Sequence, residues 1–295
     1  MLGPLLFIIY INDVVNQILP ESNINLFADD IALYRTISTP EDYISLQSDI
    51  AAIATTLHAK YLNLNASKCC YLFLSRRKSC SIPPPQLMLN GLPLKRVDSY
   101  KYLGVQITSD LLWSSHILNI CNKTRRLIGM MYRRFYKYSS SNTLLKLYTS
   151  FIRPHLEYAS ISWDPHLKKD ITLLEDVQKF ALKICTKSWD QDYNTLLAKS
   201  CLPSLQARRH QAKLYNLYKI INELTYFPYA PVFRRDQYYA TRSSRDRLFV
   251  PIPSHSNQHS SSFFPSTINA WNLLPSDIQT LPSSTGFKRA LKSLT

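Results

Sequence analysis

The hydrophobic pattern changes its period near residue 114, and this change constrains the fold more than any other feature of the chain. From Ser114 to about Leu224, apolar residues recur at the three- and four-residue spacing of amphipathic helices. Short polar breaks between these segments are typical of antiparallel helices joined by brief loops. We therefore predict an all-α bundle over residues 114–224. Residues 225–295 are rich in Pro, Ser, Arg and aromatics, which predicts an irregular region with a short helix near Phe287–Leu294.

The pattern of residues 1–78 predicts a helix, a hairpin, a second helix and a strand. An apolar run follows Pro4, which predicts a buried core helix extending to about Leu19. A second helix is expected to begin at Pro40, with Thr39 as its N-cap. Helices packed on one face of a small antiparallel sheet make an α+β domain, which is the predicted class of this part.

Residues 79–113 connect these two parts. Pro83–Pro85 predicts a stiff linker. Asn90-Gly91 between short apolar runs is a strong signal for a β-hairpin turn. Tyr100–Ile107 is predicted to be a further strand, with Gly104 as a bulge or a point of close backbone approach.

The composition indicates the partners and the compartment. A formal net charge of +15 and a pI near 9.5 point to a polyanionic partner. Six cysteines without paired spacing predict reduced thiols in an intracellular protein of the nucleus or cytoplasm, not a secreted one. The N-terminal apolar run has no preceding basic residue and is too short for a bilayer, so no membrane partner is expected. His255 and His259 lack a nearby cysteine pair, so no structural zinc is expected either.

The positive charge is concentrated between Leu111 and Leu156, where no Asp or Glu occurs. The basic residues of this stretch are Lys123, Arg125, Arg126, Arg133, Arg134, Lys137, Lys146 and Arg153, with Tyr132, Phe135, Tyr136 and Tyr138 among them. A solvated helix face is the alternative, but such faces usually contain both signs of charge. Basic residues interleaved with aromatics therefore favour contact with nucleic acid.

Two adjacent carboxylates, Asp29 and Asp30, lie between two short apolar segments that read as strands. The sequence therefore predicts a hairpin with this acidic pair at its tip, where Asp is favoured. Neighbouring carboxylates repel each other, and a divalent cation between them relieves that repulsion. Most Asp-Asp pairs are solvated turn residues, so the pair alone leaves both interpretations open.

Several segments, in order along the chain, resemble the reverse transcriptases of non-LTR (LINE-type) retrotransposons of the jockey-like branch. The segments similar to the palm motifs are Leu2–Phe7, Ile11–Asp13, Phe27–Asp30 and Leu64–Lys68. Tyr100–Gly104 resembles the primer-grip hairpin, and Pro154–Tyr158 with Trp163 resembles the thumb. Phe263–Pro265, Trp271–Pro275 and Phe287–Lys288 resemble the C-terminal tail of that branch.

This resemblance implies two-metal nucleotidyl transfer onto a primer 3′-OH. It implies Mg²⁺, or Mn²⁺ in its place, bound by Asp29 and Asp30, with Lys68 donating a proton to the leaving pyrophosphate. The implied partners are an RNA template, a DNA primer or target, and deoxynucleoside triphosphates in the complete enzyme. The residues implied to contact primer or template are Gly3, Pro4, Phe27, Tyr102, Leu103, Gly104, Lys123, Arg125, Arg126, Arg133 and Arg134.

The sequence also departs from the family pattern. Family members have a further metal-binding Asp on an earlier palm strand, and fingers that hold the template; neither is found in this sequence. Asp13 and Glu21 lie on or just after the first helix and cannot replace a ligand borne by a strand. The expectation is an incomplete polymerase, inactive alone, with a partial palm (1–78), a linker and primer-grip-like hairpin (79–113), a thumb-like domain (114–224) and a C-terminal region (225–295). A non-catalytic nucleic-acid-binding protein and an inactive relic of the element are the alternatives.

Overall fold

The computed structural model describes residues 2–75, 86–225, 227 and 249–294. The chain divides into two compact units, residues 1–112 and residues 113–295. The predicted linker at Pro83–Pro85 and most of the stretch 225–248 lie outside the described residues. None of the helices in the described ranges is long and apolar enough to cross a membrane.

The first unit combines two helices with short strands, which agrees with the predicted α+β class. Its elements are α1 (Leu2–Asn12), a 3-10 turn (Asp13–Gln17), β1 (Ser22–Phe27), β2 (Asp30–Arg35), α2 (Pro40–Ala59), β3 (Cys70–Leu72), β4 (Met88–Leu89), β5 (Leu92–Pro93), β6 (Lys95–Val97), β7 (Ser99–Tyr102) and β8 (Val105–Thr108).

The prediction of one small antiparallel sheet was wrong. Within the described residues the strands form separate two-stranded pairs. β1–β2, β4–β5 and β7–β8 are antiparallel, whereas β3 and β6 are parallel. The chain between β3 and β6 is long enough for the crossover that a parallel pair requires.

Helix α2 organises the core of this unit. It begins as predicted, with Thr39 as N-cap and Asp42 completing a capping box. Ile53 and Leu57 of α2 pack in one buried cluster with Ile11 and Val14. The buried residues Ala54, Leu87, Leu89 and Leu94 form a second cluster. Helix α2 therefore faces both clusters and connects the first helix to the β4–β5 hairpin.

Helix α1 is not the buried core helix that the sequence predicted. It ends at Asn12 and continues only as a 3-10 turn to Gln17, short of the expected Leu19. Leu2 and Ile9 are 67% and 63% exposed, and Ile11 is the buried residue of the helix. The helix is apolar around its whole circumference, so packing only its C-terminal end leaves apolar side chains outside.

Tyr100–Ile107 is a hairpin rather than the single strand predicted. β7 and β8 pair from Ser99 with Thr108 to Tyr102 with Val105, so Leu103 and Gly104 form a two-residue turn. Both turn residues have positive φ, 44° and 86°. Two consecutive positive φ values match the tight turns that suit the twist of a hairpin, and Gly adopts them readily.

The second unit is helical over the stretch predicted to be helical. Its helices are α3 (Ser114–Phe135), α4 (Ser141–Leu147), a π-helical turn (Tyr148–Ile152), α5 (Pro154–Glu157), α6 (Ser160–Trp163), α7 (Lys168–Thr186), α8 (Tyr193–Ser200) and α9 (Leu205–Ile221). The apolar face expected on α3 is buried, with Ile117, Cys121 and Ile128 fully enclosed. Helices α3 and α7 pack against each other along these faces.

The short helix predicted near Phe287–Leu294 is present as Ser284–Ser293, but the prediction that the rest of the C-terminal region is irregular was wrong for its described part. Four helices occur there: α10 (Asn257–Ser261), α11 (Phe263–Trp271), α12 (Ser276–Gln279) and α13 (Ser284–Ser293). Trp271 and Phe287 are buried in a cluster with Leu217 and Tyr218 of α9. Tertiary burial of aromatic side chains therefore stabilises helices that local composition does not favour.

Candidate functional site

The acidic pair, Asp29 and Asp30, lies at the end of the β1–β2 hairpin. The register runs from Ser22 with Arg35 to Phe27 with Asp30, so Asp29 is in the two-residue turn and Asp30 begins β2. Both carboxylates are exposed. Ala28, the other turn residue, has a φ of 52°, a conformation that non-glycine residues adopt mainly in such tight turns. The hairpin predicted from the sequence is therefore present and leaves the pair accessible.

Phe27 stands beside the pair with its ring in solvent. It is 61% exposed and pairs across the hairpin with Asp30. An exposed ring next to two carboxylates gives this end of the hairpin an apolar surface as well as a negative one.

A buried ion-pair network holds the opposite end of the hairpin against α2. Asp49 of α2 is 1% exposed and accepts hydrogen bonds from Ser22 Oγ and from the backbone N–H of Leu19, the latter at 2.9 Å. Arg35 Nη1 lies 4.0 Å from Asp49 Oδ2 and 3.0 Å from Ser22 Oγ. Arg35 also pairs with Asp42 and Glu21, at 3.4 Å and 3.5 Å. This network was not predictable from the sequence, because its members are distant along the chain.

The β7–β8 hairpin lies near the acidic pair within the same unit. Burial raises the pKa of Tyr102, and the charge of Asp30 raises it further. Burial likewise raises the pKa of Tyr100, with additional contributions from Cys70 and Asp30. Both phenols are thus within electrostatic reach of the Asp30 carboxylate. The charge of Asp30 therefore acts on the hairpin that contains Tyr102, Leu103 and Gly104.

Other residues of the predicted site are not gathered around the pair. Lys68 is exposed in a turn, where its backbone N–H donates to Asn65 O at 3.0 Å, and no ion pair joins it to Asp29 or Asp30 within the described residues. Gly3 and Pro4 are exposed in the first turn of α1, and the position of a Cβ on Gly3 is open space.

The acidic pair supplies the oxygen ligands that a hard divalent cation prefers. In the part of the chain that the structure describes, however, no group of three or more His, Cys, Asp or Glu side chains is placed to hold a metal ion. Asp13 pairs with Lys60 at 2.9 Å, and Glu21 pairs with Arg35. The residues present therefore fit part of a metal site, and a third ligand has to come from outside the described residues.

In the second unit, α3 presents a cationic surface. All of its Lys and Arg residues are exposed, namely Lys123, Arg125, Arg126, Arg133 and Arg134. The helix contains no Asp or Glu, and none of these cations forms an ion pair within the described residues. Such a surface attracts a polyanion through many weak contacts with phosphates.

Two aromatic residues outside α3 lie close to the aromatic side chains of this helix. The sequence pattern did not predict this contact. Trp189, in the loop after α7, lies 6.3 Å from Tyr132 between ring centroids, and Phe180 lies 6.5 Å from Trp189. An exposed Trp just after the end of a helix was a signal available in the sequence. The contact of Trp189 with Tyr132 was not predictable, because the end of α7 is distant from α3 along the chain.

Comparisons with known proteins show what the first unit is similar to. A family model described as "Reverse transcriptase (RNA-dependent DNA polymerase)" matches residues 1–107, which include both hairpins and the acidic pair. This match defines the class of protein to which the first unit belongs. No solved structure matches the chain significantly.

Curated relatives identify the branch of that class. The chain is 30% identical over 204 residues to the RNA-directed DNA polymerase from mobile element jockey of Drosophila funebris, covering 64% of this chain and 21% of the relative. It is 24% identical over 180 residues to the probable RNA-directed DNA polymerase from transposon X-element of Drosophila melanogaster, covering 57% of this chain and 19% of the relative. The chain thus spans about a fifth of the length of these relatives. It is a reverse transcriptase homologue of the LINE type.

Proposed function

We propose that this chain takes part in RNA-directed DNA synthesis, with Asp29 and Asp30 as metal-binding residues for transfer of a nucleotide onto a primer 3′-OH. The observation that supports this role is an exposed acidic pair at the end of a β-hairpin, inside the segment that matches the reverse transcriptase family. Two divalent cations, with Mg²⁺ as the expected one, supply activation of the attacking oxygen and neutralisation of the triphosphate when they are bound.

The other predicted site residues of the first unit bind the primer and template or assist the reaction. Phe27, Tyr102, Leu103 and Gly104 hold the primer strand, since the β7–β8 hairpin lies near Asp30 and Phe27 is exposed beside it. Residues 1–112 correspond in this proposal to a partial palm with a primer-grip hairpin. Gly3 and Pro4 contact the template, and Lys68 donates a proton to pyrophosphate; these roles come from the family resemblance alone.

Catalysis also requires groups outside the described residues. Two carboxylates hold a pair of divalent cations weakly, and the described part of this chain provides no third ligand beside them. We therefore expect the isolated chain to show no primer extension. A polypeptide that adds the missing carboxylate and the template-binding fingers is expected to restore it.

Primer extension on an RNA template tests the proposal. The assay uses this chain fused to the fingers and preceding palm strand of a jockey-type relative, with labelled DNA primer and Mg²⁺. We expect Asp29→Asn to lower the rate by about 10³-fold or more, because loss of a catalytic ligand removes transition-state stabilisation. Asp98→Asn is the matched control, since Asp98 is an exposed acid of the same unit. Equal rates for the fusion and its Asp29→Asn variant would contradict the proposal.

A second candidate function is nucleic-acid binding without catalysis. The cationic surface of α3 favours it, and residues 114–224 correspond in this proposal to a thumb. Neutralising Arg125, Arg126, Arg133 and Arg134 to Gln is expected to reduce the slope of log affinity against log salt by up to about 3.6, at about 0.9 for each phosphate contact. Lys168→Gln with Lys169→Gln is the control, because both lysines are exposed on α7. Undiminished binding of RNA and DNA by the arginine variant would exclude this role for α3.

A further inference from the structure

Four aromatic rings form a continuous cluster on the surface of the second unit. Tyr132 on α3 and Tyr136, the residue that caps the end of this helix, have ring centroids 4.7 Å apart. Trp189 meets Tyr132 edge-on at 6.3 Å, and Phe180 of α7 meets Trp189 at 6.5 Å. We call Tyr132, Tyr136, Phe180 and Trp189 the aromatic platform.

The loop that contains Trp189 is held by hydrogen bonds, while the rings of the platform remain exposed. Lys187 ends α7 with a φ of 54°, and the N–H of Ser188 donates to Lys183 O at 3.1 Å, which fixes the start of the loop. Trp189 Nε1 then donates to the phenol oxygen of Tyr136 at 3.3 Å. The Trp ring is therefore oriented without being enclosed.

The platform is not needed to complete the core of the bundle. Tyr132, Phe180 and Trp189 are each 42% exposed, whereas the buried faces of α3 and α7 consist of residues such as Ile128 and Val177. Leaving several neighbouring rings in water is unfavourable for an isolated protein, and exposed patches of this kind usually mark a binding surface.

The charged residues near the platform indicate which type of partner it binds. Lys187 Nζ lies 5.3 Å from the centroid of the Tyr136 ring. Arg125 lies seven residues before Tyr132 and so shares its helix face, and Arg133 is exposed beside it. Asp190 and Asp192 are exposed acids of this loop, and Asp192 caps α8; Asp176, also exposed, lies one turn before Phe180 on α7, so the cations of the platform are those of α3 and Lys187. Flat rings flanked by cations match a strand with stacked bases and a negative backbone.

We propose that the aromatic platform stacks the unpaired bases of single-stranded nucleic acid, with Lys187 and the cations of α3 contacting its phosphates. This proposal rests on the nucleic-acid binding proposed for α3 and adds a preference for unpaired strands. Bases in a duplex already stack on each other, so their faces are not available to Trp189 and Tyr132. Contacts with phosphates alone would not distinguish the two forms.

Binding of a labelled oligonucleotide by the full chain tests the platform. The probes are a single strand of about ten nucleotides, within the site sizes of stacking proteins, and a duplex of the same length. We expect Trp189→Ala to weaken single-strand binding about tenfold, the loss typical for one stacked base, and to change duplex binding by less than about twofold. Trp189→Phe is expected to restore most of the affinity while removing the quenching of Trp fluorescence on binding.

Phe151→Ala is the matched control, because Phe151 is 70% exposed in the same unit and belongs to no part of the platform. Equal weakening of single-strand and duplex binding by Trp189→Ala, or no weakening of either, would overturn the platform. A change in self-association of the variant, measured by sedimentation, would show a protein interface instead and would also overturn it. The arginine variant separates the two proposals: salt-sensitive binding that needs the arginines but not Trp189 leaves α3 as a binding surface and removes only the platform.

Discussion

Replacement of Asp49 should loosen the hairpin that bears the acidic pair, although Asp49 lies at its other end. Asp49 is buried on α2 and joins the helix to both strands, through Ser22 of β1 and Arg35 of β2. These two residues are cross-strand partners in the hairpin register. The Arg35 side chain is 6% exposed and that of Asp49 2%, so water screens their interaction little.

The expected cost follows from this geometry. At 4.0 Å and an effective dielectric constant of about 20, the attraction between the two charges is about 4 kcal/mol. Asp49→Asn removes it, but Asn keeps an oxygen for the N–H of Leu19, and Asp42 and Glu21 still accompany Arg35. We therefore expect Asp49→Asn to lower the free energy of unfolding by about 2 kcal/mol. Asp49→Ala also removes the hydrogen bonds from Ser22 and Leu19, so we expect it to lower the free energy of unfolding by about 4 kcal/mol.

Hydrogen exchange followed by mass spectrometry measures this loss locally, in peptides from β1, β2 and α2. A double-mutant cycle with Arg35→Met should give a coupling free energy of about 2 kcal/mol between the two side chains. Asp13→Asn is the control: its pair with Lys60 is on the surface, with Asp13 68% exposed, and should contribute less than about 1 kcal/mol. A change below about 0.5 kcal/mol for Asp49→Asn, or a coupling near zero, would refute the argument.

Three further predictions concern other parts of the chain. Gln178→Leu should destabilise the second unit by about 2–4 kcal/mol in chemical denaturation, because the buried hydroxyl of Tyr148 and the carbonyl of Pro203 lose their bonds to Gln178, while Tyr193 keeps its bond to Glu175. Backbone N–H groups preceding α2 hold the pKa of Asp42 below its ordinary value. Asp42 therefore stabilises α2 above the ordinary carboxyl pKa, and this stabilisation is lost as pH falls through the lowered pKa, so the Tm difference between wild type and Asp42→Asn should shrink as the solution is acidified below the ordinary Asp pKa of about 4. Cys201 is exposed, whereas burial raises the pKa of Cys185 to about 12, so a thiol reagent at neutral pH should label Cys201 and spare Cys185 in the folded protein.

Much of the local structure was predictable because it depends on neighbouring residues. The turn at Asp29, the hairpin at Asn90-Gly91 and the capped start of α2 at Pro40 are all present. Each is decided by backbone conformation and hydrogen bonds within a few residues. The buried face of α3 was predictable for the same reason, since residues three and four apart lie on one side of a helix.

The errors occurred where distant segments decide the outcome. α1 was expected to be buried because it is apolar, yet burial requires a partner surface that no local pattern specifies. Helix α13 was predicted, whereas α10, α11 and α12 were missed, because burial of residues such as Trp271 against α9 stabilises them. The parallel pairing of β3 with β6 likewise depends on the path of the chain between them.

For the candidate site, the sequence alone determined the residue types: two carboxylates at a turn, a cationic helix without acids, and the family to which the first unit belongs. Tertiary structure alone decided the proximities. It placed Tyr102 near Asp30, fixed the hairpin to α2 through Asp49, and brought Trp189 beside Tyr132. The physical reason is range: turn and helix preferences act over a few residues, whereas side chains far apart in sequence meet only when burial of the core has fixed the path of the backbone.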